Sequence, residues 1–334
     1  MSAVRETIQF FRTLPLFRGL GTSELEDIAR MLQPFARGPG ETLFQQGADS
    51  NGIYFIQDGL IEIRARVPGD EVLTLARLGH GDVLGEVALL DRGPRTASAL
   101  AVEPTTGYWL GRRHFEILRL DHKPASLSIM QRLIENTCAA VRRSYARIAE
   151  LLQEAAPLSR EPGEARTGLS KAEATKIPFG SLPFFSQLSA RELKDVLELG
   201  RLLHAERGTI LYRQGAPSRE VFIVVRGAVR TMLQHGDTNF QIAVHAPGSI
   251  DGVLSAIDGR PNATSCEACE PADVLALKRS AVATLRTTQT PLSWYLSEHI
   301  HEGLVRTLRQ CTDHTSRLEL ERNLQVRMRE ASHV

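Results

Sequence analysis

The 334-residue chain has only four cysteines, Cys138, Cys266, Cys269 and Cys311, and they are scattered. So few thiols in so long a chain do not make a disulfide framework. Cys266 and Cys269 form a lone CxxC pair, with no second pair or His pair at zinc-finger spacing. In a strand, residues three apart point to opposite faces, so buried structural cysteines are expected and no metal site. His299 and His301, two apart in a helical stretch, do not share a face either. Net charge is also missing: 40 basic residues against 39 acidic give +1. That removes any global electrostatic reason to bind nucleic acid or a membrane surface. No apolar run approaches the ~18 residues needed to cross a bilayer. The opening MSAVRETIQFFRTLPLF lacks the apolar core and small-residue cleavage site of a signal peptide. A cytoplasmic location is expected. No Walker-type loop, nucleophile–base pair or metal-ligand set is present, so the expectation is a non-enzyme with no catalytic residue and no cofactor.

The length suggests about two domains of ~150 residues, and 42% hydrophobic residues is ample for ordinary cores. Residues 5–13 read as a short helix. Thr22-Ser23 followed by Glu24-Leu25-Glu26 reads as a capped helix start, running to about Leu32. Short β-type runs follow, separated by glycines: Thr42–Phe44, Gly52–Ile56, Leu60–Arg66, Leu73–Leu78, Asp82–Leu84, Thr96–Ala101 and Gly107–Gly111. Many short strands at turn-rich spacing argue for a β-sandwich or jelly roll.

One stretch within this region carries chemistry. Gly85 to Ser98 reads Gly-Glu-Val-Ala-Leu-Leu-Asp-Arg-Gly-Pro-Arg-Thr-Ala-Ser. Its small residues let backbone N–H groups come close to a phosphate, and successive amides in a tight turn form an anion-binding concavity. Arg95 offers a fork of donors for phosphate oxygens, and Glu86 can accept from a ribose hydroxyl. The string resembles the phosphate-binding cassette of cyclic nucleotide-binding domains, the superfamily of the catabolite activator protein and the protein kinase A regulatory subunits. That resemblance implies a ligand site of Gly85, Glu86, Val87, Ala88, Arg95, Thr96 and Ala97. Glu86 would hold the ribose 2′-hydroxyl and Arg95 the cyclic phosphate. It implies a jelly-roll domain closed by a long helix, on which Val141 and Arg142 would reach the purine. The ligand would be cAMP, with cGMP possible; Thr96 does not separate them.

The pattern then starts again. Leu182-Pro183-Phe184-Phe185 follows Leu14-Pro15-Leu16-Phe17 by 168 residues, and Gly227 follows Gly59 by the same interval. At the cassettes the interval is 167, from Gly85 to Gly252. A period this long, containing a whole roll, means tandem domains. The overall class is thus mostly β with helices (α+β), two jelly rolls each followed by a long helix. The domains run 14–155 and 182–330, joined by a Pro-, Gly-, Ser- and charge-rich linker at 156–181. The second cassette has lost its chemistry: Val253 stands where Glu86 stands and Asn262 where Arg95 stands, with Arg260 two residues early. It is expected to be a packing copy.

The helix expected from about Ala125 to Glu154 carries Leu127, Met130, Ile134, Thr137, Val141, Ser144, Ile148 and Leu151 at spacings of three and four. This is a coiled-coil seam, or the stripe of a helix packing on its own roll; a homodimer through it is expected. A second long helix is expected from Leu292 to Arg329. No helix-turn-helix follows either copy, so nucleic-acid binding is not expected. The tandem layout resembles kinase regulatory subunits, but the thirteen residues before Leu14 hold no Arg-Arg-x-Ser-like string. The expectation is a cyclic-nucleotide receptor that signals by helix movement to a protein partner; the alternatives are a transcriptional regulator or a kinase regulatory subunit.

Overall fold

Alternation of apolar and polar residues, broken every few residues by glycine, folds here into antiparallel strands, twice. The computed structural model describes residues 2–14, 17–66, 72–85, 93–120, 124–154, 168–172, 177–217, 219–236 and 238–331. The chain divides into two units, Met1–Leu133 and Ile134–Val334.

In the first unit, α1 (Ser2–Thr13) and α2 (Thr22–Ala29) precede eight strands. These are β1 (Leu32–Arg37), β2 (Thr42–Phe44), β3 (Gly52–Asp58), β4 (Ile61–Arg66), β5 (Val72–Leu78), β6 (Val83–Leu84), β7 (Ser98–Ala101) and β8 (Thr105–Gly111). They form two four-stranded sheets, β1-β8-β3-β6 and β2-β7-β4-β5. Leu43, Tyr54, Ile56, Ile61, Leu84, Ala99 and Ala101 make the core of this jelly roll. Because side chains alternate along a strand, Tyr54 and Ile56 of β3 join that core while Phe55 points the other way. There Phe55 meets Phe11 of α1 and Phe17, whose rings stack 4.3 Å apart.

All seven strands read from the sequence form, with ends within two residues of expectation. Two readings are corrected. α2 stops at Ala29, and Leu32 opens β1, an edge strand whose Pro34 and lack of strict alternation hide it. The cap of α2 is Gly21, whose N–H donates to Glu24 Oε2 at 2.7 Å.

The second unit repeats the roll: α5 (Ala190–Leu199), β10 (Gly200–Ala205), β11 (Ile210–Tyr212), β12 (Glu220–Arg226), β13 (Val229–His235), β14 (Thr238–His245), β15 (Ile250–Asp251), α6 (Val253–Asp258), β16 (Ser265–Ala268) and β17 (Ala272–Lys278). It follows the first copy by 168 residues through β13 and by 167 from β15 on. The change falls in one hairpin. Arg66 pairs with Val72 in the first copy, and Gln234 with Asn239 in the second. The stretch expected as linker contributes β9 (Leu169–Lys171), which adds to the edge of β10. Its side chains are all exposed, so only backbone bonds hold it and no apolar pattern marks it. A 3-10 turn at Phe179–Ser181 buries Phe179.

Each roll is followed by a short helix, α3 (Arg112–Leu120) and α7 (Arg279–Thr287), then a long one, α4 (Pro124–Glu154) and α8 (Pro291–Ala331). The division between units falls inside α4 rather than after it. The reason is packing: Val141, Tyr145 and Ile148 cluster with Leu233, Ile242 and Ala243 of the second roll and Cys311 of α8. Thr137 Oγ1 lies 3.4 Å from His301 Nε2, and Arg147 Nη2 donates to Glu319 Oε1 at 2.8 Å. Besides seven members of the expected seam, Ile129, Leu133, Cys138 and Tyr145 are also buried on α4. A stripe this wide is that of a helix covered by its own protein, not a narrow coiled-coil seam. The face expected to meet a second copy is therefore covered within the chain.

In the second roll the buried Asp273 of β17 ties three strands together. It lies 2.7 Å from His204 Nδ1 on β10 and accepts from Arg226 Nη2 on β12 at 2.8 Å. The hydrogen bond to Asp273 raises the pKa of His204. A group whose folded pKa is raised contributes stability that is complete below its unfolded value, about 6.5 for histidine, and is lost as pH rises through the folded value. The urea midpoint of the second unit is therefore expected to fall as pH rises above the ordinary histidine value of about 6.5. His204→Gln should flatten that part of the profile; an unchanged slope would exclude His204 as its source.

Candidate nucleotide site

The first cassette is organised by Arg95, only 5% exposed. Its backbone is pinned to the turn before β3: Arg95 N donates to Ala48 O, and Gly47 N donates to Arg95 O, both at 2.9 Å. The guanidinium then turns into the roll. Nη2 donates to Gly52 O at 2.8 Å and to Asn51 Oδ1 at 3.1 Å, and Nη1 donates to Gly85 O at 3.4 Å. Its carbon stands 3.9 Å from the centroid of the Phe44 ring, a cation–π contact. The ends of β2, β3, β6 and β7 thus converge on one cation.

Two glycines at these strand ends stand where the chain comes too close for a side chain. Gly85 has φ +81, where a side chain is strained, and a Cβ there would run into Arg95 Nη1. A Cβ on Gly52 would meet Leu110 O, Trp109 Nε1 and the Cα of Gly111. The field of the cation extends inward: burial pushes the Tyr54 hydroxyl pKa up, and Arg95 and then Arg37 pull it down.

Of the residues expected to form the site, the structure brings together Gly85, Arg95, half-buried Thr96 and buried Ala97. Glu86, Val87 and Ala88 lie outside the described residues. Val141 and Arg142 are placed elsewhere. Val141 is in the core shared by α4 and the second roll, and Arg142 is engaged by the second cassette. Sequence reasoning missed Asn51 and Phe44; Phe44 was read only as a strand residue.

The second cassette keeps the backbone and changes the side chains. Asn262 N donates to Ala216 O at 2.9 Å and Gly215 N donates to Asn262 O at 2.8 Å, the same pair of bonds that pins Arg95. The Asn262 amide reaches only Arg213 O, at 3.3 Å. Below it, four core positions have turned polar. Phe44, Ile63, Leu78 and Leu84 of the first roll correspond to Tyr212, Thr231, His245 and Asp251. Tyr212 Oη and Thr231 Oγ1 donate to Asp251 Oδ2 at 2.9 and 3.3 Å, and Thr231 Oγ1 lies 2.7 Å from His245 Nε2. Burial, with the charge of Asp251 adding to it, holds the Tyr212 and Cys266 protons well above their usual range. The cavity here, lined by Tyr145, Tyr212, Asp251, Val253, Asn262 and Thr264, measures about 20 Å³. That is room for about one water. The signal for this cluster lay in the internal repeat, compared position by position in the core as well as at the cassette.

The model of the cyclic nucleotide-binding domain matches residues 37–122 and 202–289, one stretch in each roll. The chain belongs to this family. Both rolls are cyclic nucleotide-binding domains by sequence, including the second. The cyclic AMP receptor protein of Thermus thermophilus is 31% identical over 214 residues, 62% of this chain and 92% of that protein. The acetyltransferase Pat of Mycolicibacterium smegmatis is 32% identical over 128 residues, 38% of this chain and 37% of that protein. Among solved structures, the cAMP-bound regulatory domain of Toxoplasma gondii PKA aligns over 86% of this chain and 94% of that one, at 19% identity and a TM-score of 0.34. Among the described residues no helix is long and apolar enough to cross a membrane.

Gly85→Ala tests the geometry of the first cassette directly. A side chain at positive φ costs about 1–3 kcal/mol, and here it also displaces the guanidinium. The urea midpoint of the first unit should fall accordingly. A variant as stable as the parent would mean that Arg95 does not depend on the close approach at residue 85.

Proposed function

We propose that the chain is a cyclic-nucleotide receptor that takes one nucleotide, cAMP by preference, in its first roll. The observation that carries this reading is the buried guanidinium of Arg95, turned into the roll at the end of the cassette against Gly52, Asn51 and Gly85. A cyclic phosphate presents charged oxygens to the same fork, and charge-assisted bonds are roughly twice as strong as neutral ones. Binding adds such contacts to those Arg95 makes at the ends of β3 and β6. Glu86 receives the ribose 2′-hydroxyl, and the backbone at Gly85, Val87, Ala88, Thr96 and Ala97 completes the cradle. The preference for cAMP is supported by the relative named for that ligand. The chain carries out no chemical step on the nucleotide in this reading. It passes occupancy through α4 to a protein partner.

Calorimetric titration with cAMP and cGMP tests this. The expected stoichiometry is one per chain, because Val253 and Asn262 remove both charged contacts from the second cassette. Arg95→Ala should weaken binding by roughly thirty- to a thousandfold, the loss of about 2–4 kcal/mol. Glu86→Ala should weaken it too, and 2′-deoxy-cAMP should lose less affinity on that variant than on the parent. Near-parental affinity in a folded Arg95→Ala variant would overturn the assignment.

A further inference from the structure

The second cassette already has an occupant. Arg142 of α4 lays its guanidinium on the loop after α6. Nε donates to Asp258 Oδ2, and Nη2 donates to Asp258 Oδ1 at 2.9 Å, Pro261 O at 3.1 Å and Ser255 Oγ at 3.4 Å. Asp258 is held in place by Arg260 N, which donates to Oδ1 at 3.0 Å. The Arg142 and Asp258 side chains are only 16% and 22% exposed. A sheltered, two-pronged pair with further acceptors fixes geometry more strictly than a surface ion pair. One turn further along α4, Tyr145 is buried and lines the cavity beside Tyr212 and Asp251. The charge logic is the reverse of the first roll. Where the first cassette turns a cation inward at Arg95, the second has neutral Asn262, with carboxylates at Asp251 beneath and Asp258 at the rim.

We propose that the second roll is a receptor for helix α4: the rim of its cassette, at Ser255, Asp258 and Pro261, takes the guanidinium of Arg142 and holds the helix over the cassette. The occupant is a segment of this same chain. The second copy has exchanged ligand sensing for a hold on the helix that leaves the first roll. Its role in signalling rests on the first roll being the nucleotide receptor; the hold itself does not.

The full-length chain and its R142E, D258R and R142E/D258R variants test this by hydrogen exchange across residues 138–152, without nucleotide. Each single charge reversal should speed exchange in that segment by roughly tenfold or more, and the double reversal should restore most of the protection, since the two residues act as one pair. R142Q, which keeps the length of the side chain and loses its charge, should move exchange in the same direction with less disturbance to folding. Titration with cAMP in parallel should give the same single-site stoichiometry in every variant. Unchanged exchange in the single variants, or a double variant no better protected than they are, would overturn the proposal. A second nucleotide bound by R142E or R142Q would also overturn it, by revealing a ligand site beneath the helix. Absence of cAMP binding in the parent would overturn the receptor reading of the first roll while leaving the exchange comparison intact.

Discussion

Arg95 keeps a charged group almost wholly out of water, and the first roll is arranged around that requirement. A buried charge is tolerable only with hydrogen bonds to satisfy it. Here two backbone carbonyls, an asparagine oxygen and an aromatic face supply partners. The backbone oxygens come from strand ends that must lie within one guanidinium's span. The positive φ of Gly85 and the absence of a side chain there follow from that constraint. The left-handed turn at residue 85 and the charged side chain at 95 depend on one another.

The second roll shows what survives when that constraint is lifted. The backbone bonds that seat residue 95 persist at residue 262, since they belong to the roll. The glutamate and arginine are gone, and the interior beneath has admitted a tyrosine, a threonine, a histidine and an aspartate in place of four apolar residues. A polar group is accepted in a core when its neighbours supply hydrogen-bond partners, and these four supply one another. The sheets kept their strand order through this change.

The repeat made most of this architecture legible. Glycine spacing placed the strands, the cassette string placed Arg95, and the absence of its counterpart at Asn262 marked the second copy as different. What stayed hidden follows a physical pattern. β1 and β9 are edge strands held by backbone bonds, with little apolar alternation to reveal them. The partner of α4 was hidden too, because a helix stripe states that a face is covered and not by what. Its extra width at Ile129, Leu133, Cys138 and Tyr145 was the available clue. Arg142 read as a helix residue near a purine because the resemblance carried it there; the carboxylate that holds it lies 116 residues away in the chain.

The interval between the copies changes from 168 to 167 at a single hairpin, β4–β5 against β13–β14. On either side the strands keep their pairing, including a bulge at Leu75 in one and Ile242 in the other. Length change at that tip has thus been absorbed once without disturbing either sheet. In both copies the strand end beside the tip is clasped by a glutamine side chain, Gln46 on Arg66 in the first roll and Gln214 on Gln234 in the second. The clasp marks how far along the hairpin the roll fixes its backbone, and a change of length beyond it leaves the strand pairing as it was.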